Sequence, residues 1–291
     1  MGGRDVAAAR SGLDPLTGPG MREPVGAIAS RLIAAYDTAT PLAPITAGDP
    51  DFDVAAGYDV LREIEARRVA GGWVPVGRKI GFTNRTIWSR YGVYLPMWAH
   101  MWVHTVHYAT ANCATLALAP FVQPRIEPEV VFKLKAPVPV AADAHGALAC
   151  VEWIAPGFEI VQSHFPDWKF AAADCTAAFG LHGVLVVGTP LAVTDRNRAE
   201  LAAALPLFTL TLGRSGAVID TGVGANVLDS PALALVHLAR VLALQPQFPP
   251  LAVGEIITTG TVTDAWPISA GEMWTSDYGA LGLPGVTLTF S

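Results

Sequence analysis

Two glutamates separated by one proline offer the clearest chemistry in the sequence, within Gln123-Pro124-Arg125-Ile126-Glu127-Pro128-Glu129-Val130-Val131-Phe132. The apolar, β-branched residues that follow predict a strand over 125–135. Strand side chains alternate faces, so Glu127 and Glu129 project from the same face. On a helix, positions i and i+2 lie about 200° apart and do not converge. Pro128 cannot donate a ladder hydrogen bond, so it marks an edge or a bulge. Two carboxylates this close repel unless a cation sits between them. Hard oxygen ligands favour Mg2+, Mn2+ or Ca2+ over zinc. A solvated strand face carries the same spacing, so the pair alone leaves both readings open. A third acid, Glu159, stands inside the apolar run Ala155-Pro156-Gly157-Phe158-Glu159-Ile160-Val161, where an ionised side chain is costly without a partner. Glu152 lies in a stretch that reads as a helix end. Asp174, within the small-residue run Ala171–Cys175, is a further acid in tight surroundings and a catalytic candidate.

Basic and titratable groups are few. Lys79, Lys133, Lys135 and Lys169 are the only lysines. Lys79 is set among Gly77, Ile80, Gly81 and Phe82, which predicts close packing rather than a surface position. His100, His104 and His107 form H-x3-H-x2-H, a spacing that on a helix would suit zinc. On a strand His107 would face away from the other two. His100 and His182 are catalytic candidates because histidine titrates near neutrality.

These groups need a scaffold to position them. The chain has 291 residues, 52% of them hydrophobic and 15% charged, enough to bury a large core. Its 28 glycines and 23 prolines are spread along the chain, as in a turn-rich β protein. Helices are predicted over 24–37, from about Tyr58 to Gly71-Gly72, over 195–204 with Asp195 as N-cap, and over 231–244 behind Ser230 and Pro231. Strands are predicted over 76–82, 125–135, 157–163, 183–189, 207–213, 255–260 and 286–290. Residues 1–22 read as a flexible, glycine-rich tail, with Met21 an alternative start. Residues 23–72 read as a small helical cap, and 73–291 as a β-rich α+β catalytic domain. The net charge of −6 without a basic cluster argues against nucleic acid. No apolar run reaches spanning length, so no membrane partner is expected. Three cysteines without CxxC spacing predict reduced thiols in a cytoplasmic protein. No GxSxG, Walker loop or complete dinucleotide fingerprint occurs.

Several motifs together carry a family resemblance. Gly77-Arg78-Lys79-Ile80-Gly81-Phe82-Thr83, Gln123–Glu129, Glu159 with Asp167-Trp168 and Asp174, Gly254-Glu255-Ile256-Ile257-Thr258-Thr259-Gly260-Thr261 and Ala270-Gly271-Glu272 follow in order over residues 25–291. This set resembles the fumarylacetoacetate hydrolase superfamily, in its 2-keto-4-pentenoate hydratase and 4-oxalocrotonate decarboxylase branch. The resemblance implies a twisted roll of mixed sheets and a homodimer or larger homo-oligomer. It implies a divalent metal, usually Mg2+, on Glu127, Glu129 and Glu159, with Lys79 as the active-site lysine. It implies a 2-keto or enol acid substrate contacted by Thr83, Arg125, Leu181, Thr259 and Gly260.

Two segments depart from the branch. An acidic DxPxFGxL stretch is here Tyr94-Leu95-Pro96-Met97-Trp98-Ala99-His100-Met101-Trp102, without an acid. An ADNAS-like stretch is here Ala177-Ala178-Phe179-Gly180-Leu181-His182-Gly183, with Leu181 where the branch has serine. Phe179, Leu181, Trp98 and Trp102 therefore predict a pocket suited to a hydrophobic substrate portion rather than a second carboxylate. Three functions are weighed: a lyase (hydratase or decarboxylase), a metal-dependent C–C hydrolase of an acylpyruvate or β-diketone, and a non-catalytic metal-binding scaffold. Hydrolases of the superfamily carry a Glu–His pair on an N-terminal lid. No histidine precedes residue 73, which favours the lyase.

Overall fold

The computed structural model describes residues 23–291, so the expected tail over 1–22 lies outside the described residues. Two helices open the chain, α1 (Val25–Thr38) and α2 (Val54–Ala70). The Asp53 side chain starts α2 by accepting from Ala56 N, as an N-cap should. There follow β1 (Pro75–Gly81), the short α3 (Trp88–Tyr91), β2 (Met97–Trp102), β3 (Val106–Tyr108), β4 (Cys113–Leu116), β5 (Arg125–Leu134), α4 (Ala144–Ala149) and β6 (Val151–Val161). The second half holds α5 (Ala172–Ala177), β7 (His182–Val187), β8 (Leu191–Ala192), α6 (Arg198–Ala204), β9 (Thr209–Arg214) and β10 (Ala217–Val223). After these come α7 (Pro231–Ala243), β11 (Ile256–Thr258), β12 (Trp266–Pro267), β13 (Met273–Asp277) and β14 (Thr287–Phe290).

These elements make an α+β fold around two curled mixed sheets. The larger, nine-stranded sheet runs β2-β1-β11-β5-β6-β7-β3, with β12 on β5 and β8 on β6. Its end strands β2 and β3 are joined by the single turn Val103–Thr105, so the sheet curls round on itself. Only β1–β11 and β3–β7 pair in parallel within it. The smaller sheet runs β10-β9-β13-β14-β4. Phe132, Ile154, Phe158 and Ile160 of the large sheet share one core with Leu235 and Leu238 of α7 and with Trp274 and Leu288 of the small sheet. Helices α1 and α2 share a second cluster with Met97, Val161, Cys175, Phe179 and Leu181, which ties the helical cap to the roll.

The structure corrects several local readings. Glu152 lies in β6 and pairs with Lys133; the helix there is α4. Helix α6 begins at Arg198 behind Asn197, and Asp195 pairs with Arg198 instead of capping. The segment Gly224–Ala243 is long and apolar enough to pass as a membrane span, yet 67% of it is buried inside the protein, as befits a core helix.

Candidate metal centre

Strand β5 supplies two of the acids and β6 the third. Their antiparallel register sets Glu127 directly opposite Glu159, and the two-residue period puts Glu129 beside Glu127. One oxygen from each of the three carboxylates lies within 4.8 Å of the others. Pro128 fits here for a local reason. The β11 pairing ends at Val131 and the β12 pairing begins at Ile126. Between them β5 has no strand on that side, so the missing N–H interrupts no ladder.

The chain after β11 crosses this gap and orients Glu129. Thr258 Oγ1 donates to Glu129 Oε2, as does Gly260 N at 2.7 Å. Thr259 Oγ1 donates to Val130 O at 2.9 Å, fastening the crossing to β5. Gly260 has φ +94° and closes on Thr83; a Cβ there would fall 1.9 Å from Thr83 Oγ1. Only glycine satisfies both demands. Glu159 is held from the other side, where His182 Nδ1 lies 2.8 Å from its Oε1 and His182 Nε2 lies 2.9 Å from Thr105 Oγ1. His182 thus positions Glu159 and does not enter the cavity.

Lys79, on β1 and 4% exposed, reaches within 3.3 Å of Glu159 Oε2, without hydrogen-bond geometry. Burial alone would lower its pKa, but Glu159, Glu127 and Glu129 outweigh that and hold it above the ordinary lysine value. Without a cation Lys79 is therefore an ammonium, contrary to the depression that a neighbouring cation would produce. Burial pushes Glu129 well up and Glu127 up to about 7. Burial acts on Glu159 in the same direction, but Lys79 and the His182 hydrogen bond hold it below the carboxylate range. Buried Glu129 Oε1 and Glu159 Oε2 have no hydrogen-bond partner. Unpaired buried oxygens cost about 1–3 kcal/mol each. Convergent acids with orphaned oxygens fit a hard divalent cation.

A cavity of about 220 Å³ opens onto Lys79 and Glu127. Its wall is aromatic: Phe82 and Tyr91 are 5.1 Å apart, Tyr91 stacks on Phe170 at 5.7 Å, and Phe170 meets Trp168 at 6.1 Å. Left-handed residues mark the lining, with φ of 56° at Phe82 and 57° at Trp168, and the turn that brings in Leu181 has φ of 56° at Phe179 and 63° at Leu181. Such backbone is uncommon away from glycine and concentrates at functional sites. Gly180, between the last two, lets the turn press on Lys79; a Cβ there would meet Lys79 Cδ at 3.1 Å. Gln123 holds the Trp168 loop, donating to Ser163 O and Phe165 O and accepting from Asp167 N.

Thr83, Arg125, Leu181 and Gly260 line this cavity with Lys79 and Glu127; Thr259 and the buried acids lie behind it. Other sequence candidates are used elsewhere. Asp174 accepts from Thr46 N, Thr46 Oγ1 and Ala171 N. It caps α5 and anchors the cap loop, which leaves it out of the cavity. His100 is level with Arg78, on the sheet face opposite Lys79, where its Nδ1 lies 2.6 Å from Glu65 Oε1. His104 meets Trp73 edge to face, and among the described residues the H-x3-H-x2-H run forms no ligand group. Trp98 and Trp102 are core residues; Trp98 Nε1 donates to Gln245. Phe179 packs on Tyr36. Of the four residues read as the apolar pocket, only Leu181 lines the cavity. The aromatic wall from Tyr91 and Phe170 was not foreseen.

This placement makes His100 testable. His100→Ala leaves Glu65 without its partner, so unfolding in urea should show a loss of about 1–3 kcal/mol. Its kcat should stay within about threefold of wild type. A thousandfold loss of kcat would return His100 to the chemistry.

Known proteins resemble this chain in sequence and fold. No family model matches the chain. The 2-hydroxyhexa-2,4-dienoate hydratase of Comamonas testosteroni is 30% identical over 260 residues, covering 89% of this chain and 95% of that protein. The 4-oxalocrotonate decarboxylase of Pseudomonas sp. strain CF600 is 28% identical over 261 residues, covering 89% and 95%. Among solved structures, 4-oxalocrotonate decarboxylase from Pseudomonas putida G7, complexed with magnesium and adipate, superposes with TM-score 0.82 at 25% identity, covering 92% and 97%. Fumarylpyruvate hydrolase from Pseudomonas aeruginosa, in complex with Mn2+ and pyruvate, shares the fold at TM-score 0.57 and 14% identity, covering 75% and 89%. With this fold and this degree of identity, the chain belongs to the 2-keto-4-pentenoate hydratase and 4-oxalocrotonate decarboxylase branch of the fumarylacetoacetate hydrolase superfamily.

Proposed function

We propose that this protein is a divalent-metal-dependent lyase, a hydratase or decarboxylase, acting on a 2-keto or enol acid with a hydrophobic portion. The observation that carries the reading is the convergence of Glu127, Glu129 and Glu159 within 4.8 Å, beside a buried lysine and an aromatic-walled cavity. The three carboxylates would hold Mg2+, or Mn2+ or Ca2+ in its place. A bound cation supplies positive charge for the acid's carboxylate and keto oxygens and for the enolate that both lyase reactions require. The chain's own groups do the rest. Lys79 presents an ammonium at the cavity floor, where it can donate to a developing oxyanion or deliver a proton. Phe82, Tyr91, Phe170 and Leu181 exclude water from the carbon chain. Arg125, Thr83 and Gly260 bound the substrate's polar end.

A hydrolase is the second reading. The Glu–His pair that it would need exists as Glu65–His100, but behind the sheet from the cavity. A scaffold without catalysis leaves Lys79 and the cavity without a purpose. We place the enzyme in the cytoplasm, supported by its three free thiols. We expect a homodimer or larger homo-oligomer, supported by the exposed apolar side chains of Val74, Val103 and Tyr108.

The test is product formation from a panel of 2-keto acids, dienol acids and β-diketones with Mg2+ and with EDTA. Hydration or decarboxylation should require Mg2+ and return when it is restored. Preferential cleavage of β-diketones would replace the lyase with the hydrolase.

Proton competition gives a pH signature. In the metal-free protein Glu127 has a folded pKa of about 7, above its ordinary 4.5. A raised carboxylate contributes stability below its unfolded value and loses it as pH rises through the folded value. Metal-free protein should therefore lose Tm between about pH 5 and 8. The gain in Tm on adding Mg2+ should widen across the same window, because protons no longer compete. Thermal melts with EDTA or Mg2+ at four pH values measure both. A Mg2+ gain that shrinks as pH rises would contradict the assignment.

A further inference from the structure

We propose that Arg68, on helix α2 of the cap, is a positioning residue for Lys79. It grips Phe179 and so holds the turn Phe179-Gly180-Leu181 against the lysine stem. The role given to Lys79 rests on the lyase reading above.

The turn needs an outside hold. Phe179, Gly180 and Leu181 run consecutively in left-handed backbone, with φ of 56°, 58° and 63°. Residues with a Cβ disfavour that region, so two of them around one glycine persist only where the surroundings fix them. Leu181 N donates to Ala178 O at 2.9 Å, and His182 N donates to Phe179 O. These bonds close the turn but do not tie it to the cap. The tie is the Phe179 ring. It lies 4.5 Å from the Tyr36 ring of α1 and 5.6 Å from Arg68 Cζ.

Arg68 is itself held firmly. It is 8% exposed. Its Nη1 and Nη2 donate to the two carboxylate oxygens of Asp37 at 3.0 and 2.6 Å. A fork of this kind fixes the guanidinium plane and leaves its faces to aromatic rings. Cζ lies 4.0 Å from the Trp73 ring and 5.5 Å from the Tyr36 ring. Tyr36 and Asp37 belong to α1, Arg68 to α2, and Trp73 follows α2. One guanidinium therefore joins three parts of the cap to the turn. Behind it, α2 is pressed on α5: a Cβ on Gly57 would fall 2.7 Å from Ala173 O.

The other side of the turn meets the chemistry. A Cβ on Gly180 would lie 3.0 Å from Ala99 Cβ and 3.1 Å from both Met97 Cε and Lys79 Cδ. The turn's backbone is thus the wall against the lysine stem. Gly180 and Leu181 line the cavity, while Phe179 packs into the cap cluster. Release of Phe179 would free that wall. The ammonium, 3.3 Å from Glu159 Oε2, would then lose its fixed approach. A misplacement of about 1 Å can cost about a hundredfold in rate. Arg67, the neighbouring residue of α2, provides the contrast. It fastens α1 to α2 through Ser30 Oγ at 2.7 Å and Gly26 O at 3.1 Å, and pairs with Glu63. All three partners lie in the cap.

The experiment uses full-length Arg68→Met, Phe179→Leu and Arg67→Met, each alone and combined with Lys79→Ala. Turnover of the best 2-keto acid from the panel is measured with Mg2+, metal affinity by Mn2+ titration, and amide hydrogen exchange over residues 177–183. Arg68→Met should lower kcat by about 10–100-fold while KM and Mn2+ affinity stay within about threefold. Phe179→Leu should lower kcat by about 3–10-fold, because it keeps apolar bulk but loses the ring. Both should speed exchange in the turn, whereas Arg67→Met should leave exchange and kcat unchanged. In the Lys79→Ala background Arg68→Met should cost nothing more, because a residue that acts through another is not additive with it. A further loss of about tenfold there overturns the proposal and makes Arg68 a general support of the fold. Loss of kcat in Arg67→Met equal to that in Arg68→Met overturns it too, as do wild-type kcat and exchange in Arg68→Met. Should Arg68→Met not fold, Phe179→Leu decides by the same comparisons. A wild-type protein that turns over no 2-keto acid removes the lyase reading instead. The exchange measurement then still judges the clamp, and unchanged exchange overturns it.

Discussion

Glu129→Gln should reduce Mg2+ affinity and metal-dependent turnover by about three orders of magnitude or more, the scale on which ligand charge moves divalent affinity. The same change should make the metal-free protein more stable. Glu129 is fully buried, one of its oxygens has no partner, and burial with two neighbouring carboxylates pushes its pKa well up. A glutamine keeps an acceptor for Thr258 Oγ1 and Gly260 N. Removing a carboxyl whose ionised form burial and two neighbouring carboxylates disfavour relieves that repulsion in the metal-free protein. Opposite changes in metal-free stability and in activity distinguish a ligand from a residue that merely supports the fold. A variant that loses both together would place Glu129 in the scaffold.

Lys79→Ala should lower kcat by about two to four orders of magnitude, as for loss of a general acid or base. Its effect on stability should depend on the cation. Without Mg2+ the three carboxylates lose the ammonium that acts on each of them, so Tm should fall. With Mg2+ a stronger positive charge occupies the same neighbourhood, and most of that loss should disappear. Metal affinity should rise slightly as repulsion is relieved. Lys79→Arg should not restore turnover, because guanidinium keeps its proton. Near wild-type kcat in the arginine variant would show that only positive charge is needed, making Lys79 an electrostatic stabiliser.

Local pattern carried the three convergent acids because strand geometry is local. The Glu127-Pro128-Glu129 spacing announces one face of one strand, and an acid in the apolar run around Glu159 announces a buried partner. Gly260 and Lys79 were legible through motif order. What pattern does not carry is which distant segment completes an environment. His100 meets Glu65 on α2, 35 residues earlier, and Asp174 meets Thr46, 128 residues earlier. Both looked available for chemistry because their partners are invisible in sequence. Trp98 and Trp102 pose the converse case: an aromatic run reads equally as pocket or core, and the curl of the sheet decided for core. The left-handed turn at Phe179-Gly180-Leu181 has one glycine to signal it, and the four-residue helix Trp88–Tyr91 is too short for periodicity to reveal. So the convergent acids were readable, while the aromatic wall of the cavity was not.

The most direct measurement is a Mn2+ titration of the metal-free protein at pH 7.5, followed by electron paramagnetic resonance, for wild type and for the Glu127→Gln, Glu129→Gln and Glu159→Gln variants. The account predicts one tightly bound Mn2+ per chain in wild type, displaced by Mg2+. It also predicts that each variant loses that site while remaining folded. A wild-type protein that leaves Mn2+ free in solution, or three variants that bind it as wild type does, would contradict the assignment of these glutamates as the metal centre.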